Sequence, residues 1–309
     1  MTTTNAISRE EAARLMRLAS LASVGAALLM IAIKFYAFLA TDAVSLLSTL
    51  FDSALDAAAS LVNLVAVRQA LIPADAEHRF GHGKAEPLAG LVQVAFILGS
   101  SLLLLVEVFD HFRHPTPIAR TDIGIIVMLI SIAVTGALMA LQRHVVRKTG
   151  SVAIKSDAAH YGSDFLVNLA VIAALLLTEH FGIWWIDPAF GLAVALFIAY
   201  AAVNVARTSF DMLMDREMDD KTREEIIAVV RRHKDQGVLG LHQLRTRVAG
   251  RDLFIQFHLE LKDDISLKEA HRISDAVEAD LKTAFPMAEI IIHQDPSSVV
   301  VARAEGTRV

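Results

Sequence analysis

The sequence predicts an α-helical membrane protein of six transmembrane helices, followed by a cytoplasmic α+β domain of order αββαβ. Three observations predict it. The 309 residues are 54% hydrophobic and only 20% charged, too apolar for an ordinary soluble domain. The charge is unevenly spread: residues 1–214 hold 30 charged side chains, and the 95 residues that follow hold 33. The apolar residues of the first part gather into six stretches, each able to cross roughly 30 Å of hydrocarbon as a helix of about 20 residues. The expected division is a membrane domain at 1–214, a soluble domain at 215–296 and a short tail at 297–309.

The six stretches run over 18–40, 43–67, 87–109, 123–141, 158–178 and 186–206, the first interrupted by Lys34. So many in one segment leave no polar faces for water, which excludes soluble core helices. The first is too long for the apolar core of a signal peptide, and no small-residue cleavage site follows it. Loop charges set the orientation. Arg9, Arg14, Arg17, Arg68, Arg79, Lys84, Arg143, Arg147, Lys148 and Lys155 lie on one side, against Arg113 and Arg120 on the other. Both termini, and with them the charged domain, are expected in the cytoplasm.

Within that domain, Ile226, Ile227, Val229 and Val230 have helical spacing over 220–233. Alternation over 241–248 and 253–261, with a turn at Gly250, predicts two strands. In the second, Leu253, Ile255, Phe257, Leu259 and Leu261 face one way and His258 and Glu260 the other. Leu267, Ala270, Ser274, Val277 and Leu281 make an amphipathic helical stripe over 267–285. A last strand at 289–295 puts Ile291, His293 and Asp295 on one face. A four-element ferredoxin-like sheet covered by two helices is the expected packing.

Composition excludes several functions. With no cysteine there is no disulfide, thiolate zinc site, iron–sulfur cluster or cysteine nucleophile. A net charge of −5 and the lack of any basic run argue against a nucleic-acid partner. No HExxH, GxSxG or Walker lysine loop occurs, so neither an intramembrane protease nor an ATP-driven pump is supported, and no enzyme is expected.

The informative residues are polar ones where polarity is costly. The second stretch carries Ser45, Thr49, Asp52, Asp56, Ser60 and Asn63 at steps of three and four, one stripe along a helix. The fifth carries Asp157, His160, Asp164 and Asn168 in the same way. Carboxylates at mid-span cost several kcal/mol unless partnered. Each helix offers two metal ligands one turn apart. If the stripes face each other, Asp52, Asp56, His160 and Asp164 supply three carboxylates and an imidazole, a set suited to a tetrahedral divalent cation such as Zn²⁺. Interhelical glue and a metal-free proton path are the competing readings. Serines and asparagines alone would fit glue; three aspartates and a histidine in matched pairs fit it poorly.

The runs SLLSTLFDSALD at 45–56, HRFGHGKAEPLAGL at 78–91 and HYGSDFLVN at 160–168 resemble the cation diffusion facilitator family. LRTR at 244–247, FIQFHLEL at 254–261 and IIIHQDPSSVV at 291–301 extend the likeness over nearly the whole chain. The resemblance implies a homodimer in the bacterial inner membrane, with a metallochaperone-like cytoplasmic domain. It implies that Asp52, Asp56, His160 and Asp164 form the transport site, and that Zn²⁺ leaves by alternating access as protons enter. It further implies a loop zinc site at Asp75, His78 and His82, although on spacing alone a loop rich in His and Gly is more often just solvated. It implies a binuclear zinc site at the cytoplasmic dimer interface from His242, His258, His271, His293 and Asp295, and a charge pair between Lys84 and Asp215. The expected function is proton-coupled export of Zn²⁺, and also Cd²⁺, from the cytoplasm. Export of Fe²⁺ or Mn²⁺ is the alternative within the class, and a membrane-anchored metal sensor or scaffold the alternative outside it.

Overall fold

A computed structural model describes residues 8–41, 44–113, 122–181 and 185–300. Six long helices come first: α1 (Arg9–Thr41), α2 (Val44–Ala70), α3 (Ala85–Arg113), α4 (Asp122–Thr149), α5 (Val152–Phe181) and α6 (Ile186–Leu213). They are followed by α7 (Asp220–Arg231), β1 (Val238–Ala249), β2 (Asp252–Leu261), α8 (Leu267–Ala284) and β3 (Ala288–Pro296). The chain divides into two compact units, one through Phe210 and one from Asp211. Arg120, and residues 301–309 of the expected tail, lie outside the described residues.

In the first unit, α1, α2, α3, α4 and α6 are long and apolar enough to cross a membrane. The sixth long helix, α5, has 30 residues and holds Lys155, Asp157, His160 and Asp164 in its first half. That half is not left to lipid: α5 packs on α4, α3 and α2, and Asp157 and His160 are buried. Several helices outrun their apolar stretches. α1 starts at Arg9, well before Leu18, because Glu10, Glu11, Arg14 and Arg17 are good helix formers that continue the backbone ladder into water.

Packing follows the logic of a bilayer solvent. Large apolar side chains such as Leu28, Phe51, Leu102 and Phe197 point outward, while Ala19, Ser20, Ser23, Ala59, Ser60 and Ser156 fill the helix interfaces. Small residues let backbones approach and let hydroxyls bond back to carbonyls, as Ser20 does to Met16 and Ser23 to Ala19. The buried Glu86, in the first turn of α3, accepts from the Ser151 hydroxyl and from the Ala153 amide at 3.3 Å. It thereby caps the start of α5 and ties it to α3.

The second unit is an αββαβ layer with a three-stranded sheet of order β1-β2-β3, one strand short of the four-element sheet expected. β1 and β2 are antiparallel, joined at Gly250, whose φ of 63° is the left-handed conformation glycine takes without steric cost. β2 and β3 are parallel, connected through α8. Leu253, Ile255, Phe257, Leu259 and Leu261 are all buried on one face of β2, against Ile226, Val230, Ile273, Val277 and Leu281 of α7 and α8. Side-chain caps start both helices: Asp219 accepts from the Thr222 amide and Ser266 from the Glu269 amide. With both helices on one face, the other face of the sheet carries His258 and Glu260 of β2 and His293 and Asp295 of β3.

Candidate metal centres

Among the described residues, three groups of histidine and carboxylate could hold a metal ion, each with its ligand atoms within 4.8 Å of one another.

The first lies inside the membrane unit. Packing of α2 on α5 brings Asp56 to His160, with Oδ1 3.1 Å from Nε2. The Asp164 carboxylate, one turn along α5, approaches the same nitrogen at 3.9 Å. His160 is buried, while Asp56 and Asp164 are half-buried and stay reachable. An imidazole nitrogen between two carboxylates can hold either a proton or a divalent cation. Asp52, a turn earlier on α2, is exposed and outside this cluster.

Two features around this centre escaped the sequence reading. The sequence marks Asp157 only as part of the α5 stripe. It is fully buried, accepting from Ser23 Oγ at 2.5 Å, Gln142 Nε2 at 2.8 Å and Gln93 Nε2 at 3.0 Å. Donors on α1, α4 and α3 thus converge on one carboxylate of α5, one turn before His160, and fix that turn. Tyr161 adds to it, with its hydroxyl against Ser60 Oγ at 2.7 Å and donating to the Ser23 carbonyl at 3.0 Å. Lys34 is the second. Its ammonium donates to Ser53 Oγ at 2.7 Å and to the Thr49 carbonyl at 3.0 Å, both on α2. The only sequence signal for either was a polar residue where an apolar one is cheaper.

The second group sits in the loop between α2 and α3. His78 Nδ1 and His82 Nε2 each lie 3.5 Å from an oxygen of Asp75, and the two rings are 4.4 Å apart. An Asx turn builds it: the amides of His78 and Glu77 donate to Asp75 Oδ1 at 2.6 and 2.9 Å. Those donors, His78 first, hold the Asp75 carboxyl below the usual carboxylate range. Gly81, at φ 77°, turns the chain so that His82 folds back onto Asp75.

The third group lies on the helix-free face of the sheet. The register pairs His242 of β1 with His258 of β2, and His258 with His293 of β3, in a row across three strands. Buried Asp295 gathers them: Oδ2 is 2.8 Å from His258 Nδ1 and 3.2 Å from His242 Nε2, and Oδ1 is 3.2 Å from His293 Nε2. A bulge between His242 and Arg245, with Gln243 at φ 50°, aims His242 at this carboxylate. Glu260, paired with Gly240 in the register, reaches His242 Nδ1 at 3.2 Å. It occupies the space above Gly240, where a Cβ would come within 2.9 Å of its carboxylate. His271 stands apart on an exposed face of α8, paired with Asp275 at 3.6 Å. Asp215 belongs to this unit and accepts from Arg247 at 3.3 Å, while Lys84 belongs to the other.

Comparison with known proteins agrees in both units. Residues 20–214 match the cation efflux transmembrane domain, and residues 218–297 the cytoplasmic domain of cation efflux proteins. The chain belongs to the cation efflux family. This is the cation diffusion facilitator family, whose members are transporters rather than enzymes. A cation-efflux pump FieF of Shewanella oneidensis is 45% identical over 284 residues, covering 92% of this chain and 95% of that one. A FieF pump of Klebsiella pneumoniae is 43% identical over 293 residues, covering 95% and 97%. The solved structure of CzrB in its Zn form is 34% identical over 27% of this chain and 94% of that one, with a TM-score of 0.26. As a cation efflux protein, the chain is a multi-pass membrane exporter of divalent metal cations.

Proposed function

We propose that the chain is a homodimeric inner-membrane antiporter that carries Zn²⁺, and also Cd²⁺, out of the cytoplasm in exchange for protons. The observation that supports this best is the buried His160 imidazole between the carboxylates of Asp56 and Asp164. One nitrogen and several carboxylate oxygens form a borderline set that suits zinc better than an all-oxygen set would. Asp52, one turn before Asp56 on α2, would complete four ligands. Fe²⁺ tolerates the same donor types and is the second reading. A sensor or scaffold would not need carboxylates inside the membrane. Uptake of zinc into sealed vesicles by the purified protein tests the proposal, and no zinc-dependent flux would refute it.

In this reading the domains divide at 214/215, both termini are cytoplasmic, and Asp75, His78 and His82 bind a second ion at the membrane surface. His242, His258, His293 and Asp295 hold zinc at the dimer interface. His271, remote from them within one chain, joins from the second copy, and Lys84 and Asp215 brace the pair.

Metal choice is testable at the imidazole. His160→Asp makes the transport site all oxygen and harder, so the preference for Zn²⁺ over Mn²⁺ should fall several-fold in competition transport. An unchanged ratio would assign selectivity to cavity shape instead.

Zinc should also stabilise the cytoplasmic unit, which has its own core. Ligands assembled on a folded sheet bind the native state far better than the unfolded one. Zinc at about 100 times Kd adds about 2.7 kcal/mol, on the order of 10 °C in a domain of this size. Melting residues 215–309 with and without zinc measures it. His258→Ala should remove the shift, and a zinc-insensitive parent would strike out the third centre.

A further inference from the structure

Lys34 interrupts an otherwise apolar stretch of α1, and a lysine inside a membrane helix is retained only where something repays its cost. Its ammonium is fixed to α2 by two hydrogen bonds, to Ser53 Oγ and the Thr49 carbonyl. Ser53 adjoins Asp52, and Asp56 is one turn further along the same helix. Thr49, Asp52, Ser53 and Asp56 follow one another at helical spacing, so the Lys34 ammonium is held on the stretch of α2 that carries two of the three carboxylates of the proposed transport site. Of the four residues that would ligate the metal, only His160 can carry a positive charge, and not while its nitrogen holds the metal.

We propose that Lys34 is the tethered counter-cation of the transport site. It makes the metal-loaded site electroneutral and weakens its hold on the metal enough for release. The inference rests on the metal-export reading of the site. With the imidazole neutral, three carboxylates, one ammonium and one divalent cation carry no net charge. A loaded site without Lys34 would keep one negative charge in a medium of low dielectric, where an unbalanced charge is costly and attraction for a cation is strong. The two hydrogen bonds commit the ammonium to Thr49 and Ser53 of α2, so it opposes the metal electrostatically without occupying a ligand position. An exporter needs such opposition, since a carrier that binds too tightly cannot let go.

The test uses the full-length protein with the loop and cytoplasmic centres removed by alanine substitutions at Asp75, His78, His242 and His258. Zinc uptake into vesicles is measured for this parent and for Lys34→Met, Lys34→Gln and Lys34→Arg. The neutral variants should lower KM for zinc about tenfold, equivalent to about 1.4 kcal/mol, and lower kcat together with it. Lys34→Arg should keep the parent values. This split separates the charge from a packing role, because a damaged helix interface would raise KM. Methionine and glutamine differ in polarity, so whichever variant inserts as a monodisperse protein decides. A KM that is unchanged or raised in a well-folded neutral variant overturns the inference, as does an arginine variant that behaves like the neutral ones. Asp56→Ala on the same background separates the two levels. If the parent shows no zinc uptake that depends on Asp56, the export reading fails; if it does and the Lys34 variants match the parent, only the counter-cation fails.

Discussion

Asp56→Ala is expected to abolish zinc flux while the protein still inserts and dimerises. Asp56 makes the shortest approach to His160 in the membrane unit, at 3.1 Å, and is its only ligand-type contact from another helix among those within the described cluster. Removing it leaves both remaining cluster ligands on α5, one turn apart, with nothing on α2 to close the shell but Asp52. Loss of an outer-shell partner alone costs about 10- to 100-fold at a metal site, so loss of a direct ligand should cost at least that much. The fold has little stake in Asp56. α5 is held by Asp157, by Tyr161 and by the cap from Glu86, none of which uses it. Radiotracer or fluorescent zinc uptake in vesicles, beside a cross-linking measurement of the dimer, reads both halves. Wild-type flux would remove α2 from the transport site.

What the sequence could and could not convey follows from the range of the interactions involved. The helices of the membrane unit were legible because bilayer thickness imposes a length, and the polar stripes because a helix repeats every 3.6 residues. Both are properties of single segments. The facing of β2 was legible for the same reason: Leu253 to Leu261 alternate, and all five apolar side chains are buried. The row of His242, His258 and His293 was not, because it depends on register between strands, on the bulge at Gln243 and on a parallel pairing made by way of α8. Asp157 and Lys34 were visible as anomalies but not as parts. The donors to Asp157 come from Ser23, Gln93 and Gln142, dispersed over three helices, and no spacing rule connects them. His271 fell on the exposed face of α8, where the amphipathic stripe could say only that it is not core.

Efflux is expected to respond to an imposed proton gradient as well as to the zinc gradient. No nucleotide-binding motif is present, so in this reading an ion gradient supplies the driving force. The coupling follows from one atom. His160 Nε2 faces both Asp56 and Asp164, and a ring nitrogen that carries a proton has no lone pair left for a metal. Zinc arriving from the cytoplasm must therefore expel the proton there, and a proton arriving from the more acidic side must expel zinc. The direction is fixed by this exclusion: lowering pH at the site can only weaken zinc binding, and raising it can only strengthen it. Zinc affinity at the membrane centre should fall by up to about tenfold per pH unit for each proton that competes with the metal. The measurement uses protein lacking the loop and cytoplasmic ligands, so that only the membrane centre reports. Zinc transport is followed with the pH difference set inward, outward or to zero at a constant zinc gradient. An inward proton gradient should accelerate zinc efflux and an outward one should slow it. Flux that tracks the zinc gradient alone in all three settings would make the protein a uniporter and leave His160 as a ligand without a coupling role.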